Sequence, residues 1–202
     1  MRKFTGDTLL VATHNAGKLD EIRALLAPYG VSIVGAGERG LDVPDETETS
    51  FVGNARIKAH AGASATGLPA LSDDSGIVID ALDGAPGVYT ADWAETETGR
   101  DFVMAMTRAH DGLVARKAPQ PWTARFCCAL VLAWPDGHDE VFEGTVDGWI
   151  VWPMRGASGH GYDPVFQPLG YDITFGEMNP TEKNRISHRA DAFRKLVEGC
   201  FG

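Results

Sequence analysis

Asp73-Asp74-Ser75-Gly76 places two carboxylates side by side at the end of an apolar run. Adjacent acids at a strand end repel each other and favour a hard cation such as Mg²⁺. Either one is also suited to hold a water as general base. A plain polar turn would use the same residues, since Asp, Ser and Gly are common in turns. Glu46 and Lys58 add a further acid and an ammonium: a Glu that completes a metal site and a Lys that grips phosphate. Asn54 and Lys58 are i,i+4 neighbours and share a helix face. A loop Glu and a solvated Lys account better for Glu46 and Lys58 taken singly.

Three further stretches carry chemistry. Thr13-His14-Asn15-Ala16-Gly17-Lys18 lies between an apolar run and a helical pattern, where free N–H groups, the helix dipole and a Lys suit a phosphate. It lacks the spacing of a P-loop, and an ordinary helix capped by Asn15 explains the same residues. Gly156-Ala157-Ser158-Gly159-His160-Gly161-Tyr162-Asp163-Pro164 sets two ring side chains among glycines, so His160 and Tyr162 can stack on a flat base and Asp163 can accept a hydrogen bond from it. Lys183-Asn184-Arg185-Ile186-Ser187-His188-Arg189 gathers basic groups near an expected helix start, with Ser187 as a cap. Cations there oppose the dipole, which a bound anion would explain.

The elements that must hold these residues follow from the pattern. Leu9–Ala12 reads as a strand, Leu19, Ile22, Leu25 and Leu26 as a helix face, and Val31–Val34 as a second strand. Ser50 caps a helix from Phe51 to Thr66 that Gly67 ends, and the polar loop before it, Glu38 to Thr49, carries Glu46. Pro69–Ser72 and Ile77–Ile79 read as separate short strands on either side of the acids. A helix is expected near Thr98–His110. Ala124–Trp134 and Val141–Trp152 form a hairpin turned at Pro135-Asp136-Gly137-His138, and a helix from Ile186 to Phe201 closes the chain after a polar stretch opened by Pro180.

The chain of 202 residues, 44% of them hydrophobic, is sized for one α/β domain, read as residues 1–202 with room for two lobes. Its net charge of -10 argues against a nucleic-acid partner, so a polyanionic ligand needs a local basic island or a metal. Cys127, Cys128 and Cys200 have no ligand spacing and read as reduced thiols. With no apolar stretch of membrane length and no leader pattern, the reading is a cytoplasmic protein without a membrane partner.

Together these stretches resemble the inosine triphosphate pyrophosphatase family, the non-canonical purine NTP pyrophosphatases of the bacterial dITP/XTP type. The resemblance rests on Thr13–Lys18, Glu46-Thr47, Ser50-Phe51, Asn54-Ala55, Lys58-Ala59, Asp73–Gly76, Gly84-Ala85-Pro86-Gly87-Val88-Tyr89, Gly161–Pro164 and Ile186–Arg189. The family often has Phe where His160 stands and Gly where Glu48 stands.

The resemblance implies an elongated, two-lobed α/β fold with a long, mixed, twisted β-sheet flanked by helices, an active site in the central cleft, and a homodimer. It implies hydrolysis of ITP, dITP or XTP to monophosphate and pyrophosphate, which cleanses the nucleotide pool. Mg²⁺ would lie between the triphosphate and the carboxylates of Glu46 and Asp74, with Asp73 assisting. Asp74 would be the general base. Lys18, Lys58 and Lys183 would hold phosphates, Thr13, His14, Asn15, Ala16 and Gly17 would shape the first turn, and Ser75 would touch substrate. His160, Gly161, Tyr162 and Asp163 would surround the base, with His188 and Arg189 near its six-membered ring. Two other readings use the same residues: a nucleotide sensor that does not hydrolyse, which has no need of Glu46, Asp73 and Asp74 together, and an enzyme for pyrimidine triphosphates.

Overall fold

The computed structural model describes residues 1–202, apart from Gly17 and Glu21, whose surroundings lie outside the described residues. In chain order the elements are β1 (Thr8–Val11), α1 (Ala16–Leu26), β2 (Ser32–Gly35), α2 (Phe51–Thr66), β3 (Ala70–Ile79), a small ribbon of β4 (Glu95–Thr96) and β5 (Gly99–Arg100), α3 (Phe102–Ala115), β6 (Trp122–Ala133), β7 (Asp139–Ile150), β8 (Phe166–Pro168), α4 (Pro180–Ile186) and α5 (His188–Leu196). The main sheet is six-stranded, in the order β2-β1-β3-β6-β7-β8. β1 runs parallel to β2 and β3, and β7 pairs antiparallel with β8, so the sheet is mixed. The mixed α/β reading therefore holds.

The chain divides into two compact units. The first is Met1–Asp74, Ala129–Glu143 and Ala192–Gly202. Its strands β2 and β3 lie on either side of β1, and both parallel connections are right-handed by rule, which puts α1 and α2 on opposite faces of the sheet. The α2 face is built from small side chains: Ala55, Ala59 and Ala63 pack on Leu10, Ala70, Ala129, Val131 and Ala133. Both helix starts are capped as read from sequence. Asn15 Oδ1 accepts the Lys18 N–H at 3.0 Å, and Ser50 Oγ accepts the Gly53 N–H at 3.0 Å.

The second unit is Ser75–Cys128 and Gly144–Asp191. Its core joins Ile77, Ile79, Leu113, Phe126, Ile150, Tyr162, Phe166 and Phe175. Phe126 meets Phe166 edge-on at 4.7 Å, an arrangement favoured by the ring quadrupoles. α3 contributes Ala105, Met106, Ala109 and Leu113, the stripe of an amphipathic helix.

Several expected boundaries are corrected. The acids do not sit in a turn between two strands: β3 runs unbroken from Ala70 to Ile79 through Asp73-Asp74-Ser75-Gly76. The helix expected from Thr98 begins at Phe102, because Asp101 accepts the Met104 N–H at 3.0 Å and the residues before it pair as β4 and β5. The polar stretch after Pro180 is itself a helix, α4, with Asn179 capping it and Pro180 in its first turn. Ser187 then interrupts the expected closing helix and caps α5, its Oγ accepting the Ala190 N–H at 3.2 Å. The β6–β7 hairpin is as expected, closed by the Trp134 N–H on the His138 carbonyl at 2.9 Å. Among the described residues no helix is long and apolar enough to cross a membrane.

Candidate active site

β1 is the point where the order of the parallel strands reverses, and its carboxyl end is where such sheets place ligands. The last β1 pair joins Val11 to Leu71, so β3 continues past the end of β1 with Asp73 and Asp74 beyond it. Successive strand residues face opposite sides. Ser72 points to α2, its Oγ donating to the Ala55 carbonyl at 2.5 Å, so Asp74 shares that side. Asp73 points the other way and pairs with Lys18 of α1 at 2.7 Å. The two neighbouring acids thus serve opposite faces.

On the α2 side the Lys58 ammonium lies 3.0 Å from Glu46 and 3.8 Å from Asp74. The Asp74 and Lys58 side chains are each 13% exposed. Burial pushes the Asp74 carboxyl up to about 6, and Glu46 and Asp73 push the same way, while Lys58 and a hydrogen bond from Asn54 oppose the rise. A carboxyl held near neutrality beside a lysine is what a general base for water requires. Asn54, 3% exposed, also accepts the Glu48 N–H at 3.0 Å. From sequence, Asn54 has its shared face with Lys58 and its place in the Asn54-Ala55 stretch of the family resemblance, but no assigned role in the site. The available signal is an amide placed on the small, buried face of an Ala-rich helix.

Among the described residues no three acids, cysteines or histidines close into a metal cage. The donor set nevertheless suits a hard cation: Glu46 and Asp74 converge on one ammonium and offer only oxygen. Asp73, turned to Lys18, acts on that face through its charge.

In the turn after β1, Thr13 Oγ1 accepts the Asn15 N–H at 3.2 Å, and Ala16 opens α1. His14 Nε2 lies 2.7 Å from the Leu41 carbonyl, so the ring is turned toward the loop. Gly17, expected in the same turn, lies outside the described residues.

The second unit holds the remaining expected residues. Asp163 is 2% exposed and accepts the His160 N–H at 2.6 Å and the Lys183 ammonium. A Cβ at Gly159 would fall 2.0 Å from Asp163 Oδ2, and its φ of +81° favours glycine, so this loop closes only with glycine there. The His160 ring is exposed and Gly161 is half-buried. Tyr162 does not offer the stacking face expected of it: its ring is 1% exposed and packs edge-on against Phe102 at 6.2 Å. Lys183 and Arg185 occupy the last turn of α4, where cations favour the dipole, so the anion argument does not apply to them. His188 lies flat on Phe126 at 5.0 Å, and the Arg189 guanidinium reaches to 3.5 Å from Ser75 Oγ.

The model of the Ham1 family matches residues 9–199. A dITP/XTP pyrophosphatase of Ruegeria pomeroyi is 71% identical over 201 residues, covering 100% of this chain and 98% of the relative. The protein of the same name from Agrobacterium fabrum is 57% identical, over 99% of each chain. Among solved structures, a HAM1 protein from Coxiella burnetii superposes with a TM-score of 0.89 at 34% identity, over 95% of this chain and 96% of that one. A nucleoside-triphosphatase, dITP/XTP pyrophosphatase, from Mycobacterium abscessus gives a TM-score of 0.81 at 36% identity, over 94% of this chain and 98% of that one.

Proposed function

The chain belongs to the Ham1 family, and on that premise we propose that it hydrolyses the non-canonical purine triphosphates ITP, dITP and XTP to monophosphate and pyrophosphate. The observation that carries the mechanism is Asp74: a nearly buried carboxyl beyond the carboxyl end of β1, facing Lys58.

Asp74 orients a water and takes its proton as the oxygen attacks phosphorus. The bond between the α-phosphorus and the bridging oxygen breaks, and pyrophosphate leaves with that oxygen. Lys58 and Lys18 bind the phosphates, helped by the N–H groups at the start of α1. Glu46 and Asp74 would hold Mg²⁺, which would supply positive charge to the departing pyrophosphate. Asp163, His160, His188 and Arg189 bind the base, Lys183 is a further phosphate ligand, Gly161 supplies the positive φ at which the loop turns, and Tyr162 forms the loop's buried support. Ser75 contacts substrate from β3. A nucleotide sensor has no need of Glu46, Asp73 and Asp74 together, which favours the enzyme. The working form is a homodimer in the cytoplasm, in keeping with the family resemblance and with a net charge of -10 that disfavours polynucleotide partners.

The test is a pyrophosphate-release screen with Mg²⁺ across ITP, dITP, XTP, GTP, ATP, CTP and UTP. The 6-oxo purines ITP, dITP and XTP should lead. Equal or better turnover of CTP or UTP would replace this reading with a pyrimidine triphosphatase.

A further inference from the structure

Glu46 sits in a stretch between β2 and α2 where residues 41–48 have no helix or strand. Such a segment has no backbone ladder along its length, so its side-chain ties help set where the Glu46 carboxylate stands. Beside the backbone bond from the Leu41 N–H to the Ala36 carbonyl at 3.1 Å, two side-chain ties hold its ends. The Leu41 carbonyl, which can only accept, receives the His14 Nε2–H at 2.7 Å. The Glu48 N–H donates to Asn54 Oδ1 at 3.0 Å. Gly53 makes room for the second tie, because a Cβ there would fall 2.6 Å from Glu48 Cβ. The tethering groups come from the residues that build the site: His14 from the turn leading to Lys18, and Asn54 from the turn of α2 before Lys58, with its amide also on Asp74.

We infer that His14 and Asn54 are positioning residues that clamp the acid-bearing loop at both ends and so set Glu46 against Lys58 and Asp74. The inference rests on the pyrophosphatase reading, with Glu46 as an acid of its cation site. It takes His14 out of direct contact with the nucleotide and gives its ring a task on the protein's own backbone.

The experiment combines proteolysis with metal titration. A glutamyl endopeptidase cuts after the exposed Glu46 and Glu48 faster as the loop loosens. In metal-free protein, His14→Ala should speed that cleavage about five- to tenfold, the loss of one net hydrogen bond. The Mg²⁺ concentration for half-maximal ITP hydrolysis should rise by about tenfold, the usual scale for losing an outer-shell partner, while kcat at saturating Mg²⁺ changes far less. His14→Gln, which keeps a donor at similar reach, should recover most of both losses. Asn54→Ala should loosen the loop and also lower kcat through Asp74. If the buried change prevents folding, the exposed His14 still decides. Unchanged cleavage and Mg²⁺ requirement in His14→Ala would overturn the clamp. So would a raised KM for ITP with cleavage unchanged, which would make His14 a substrate contact. A wild-type protein that releases no pyrophosphate would sink the functional reading alone, and the cleavage rates would still judge the tether.

Discussion

Asp73 and Asp74 are consecutive in the chain, yet one pairs with Lys18 at 2.7 Å and the other faces Lys58 at 3.8 Å on the opposite side of β3. Alternation along the strand converts a pair of repelling acids into two separate stations. The two positions should therefore fail differently. Asp74→Asn should lower kcat for ITP by about 10²–10⁴-fold, the range for a lost general base, with nucleotide binding retained. Asp73→Asn should cost about 10–100-fold, chiefly in KM, because it frees Lys18 rather than removing the base. Steady-state kinetics with ITP separates them, and equal kcat losses with unchanged KM in both would contradict the assignment.

Asp74 also links function to stability. Its carboxyl ionises at about 6 in the folded chain against an ordinary 3.8. A raised carboxyl favours the folded state fully below 3.8, and that contribution is lost as pH rises through about 6. A tenfold change in proton affinity corresponds to about 1.4 kcal/mol, so the ionised carboxyl costs up to about 3 kcal/mol above that window. In the absence of divalent metal at pH 7.5, the Asp74→Asn protein should therefore be more stable than wild type in urea, and the gap should close at low pH. A variant that is less stable at both ends would show that the burial cost is not carried by this charge.

These relationships show which parts of the molecule are legible in residues alone. Asn15, Ser50 and Gly67 announce helix ends because capping is local chemistry, and the Pro135–His138 turn announces the β6–β7 hairpin for the same reason. Asp73-Asp74-Ser75-Gly76 has the composition of a turn. It is a central strand because β1 and β6 flank β3 and because Lys18, 55 positions away, neutralises Asp73. α4 is hard to read for lack of an apolar stripe, although Asn179-Pro180 is a helix-start signal. The burial of Tyr162 depends on Phe102 of α3, which no local pattern around the glycines contains.

The Lys183–Asp163 pair is nearly buried, at 16% and 3% side-chain exposure. Removing one partner of such a pair leaves a charge without compensation, typically at a cost of about 3–5 kcal/mol. Lys183→Met should lose about that much stability in urea denaturation. Adding Asp163→Asn should recover much of the loss, because the isolated carboxylate is gone. Additive destabilisation in the double variant would mean the two side chains act independently.

Arg189, 3.5 Å from Ser75 Oγ, is the expected donor to the 6-oxo group of the base. ATP presents a 6-amino donor there, and a donor set against a donor costs about 1–3 kcal/mol for each unpaired group. ATP should be the poorest purine, and Arg189→Ala should narrow the gap in kcat/KM between ITP and ATP. An equal loss for ITP, GTP and ATP would make Arg189 a phosphate or structural contact.

Attack of water on the α–β linkage, with Asp74 as base, dictates which phosphorylated products form. Phosphorus NMR of ITP hydrolysis tests it most directly, because each phosphorylated product has its own resonance. Inosine monophosphate and pyrophosphate should rise together in equal amounts, with no diphosphate at any time, and at a rate about 10²–10⁴-fold lower in Asp74→Asn. Inosine diphosphate and orthophosphate appearing first, or unimpaired hydrolysis by folded Asp74→Asn, would contradict it.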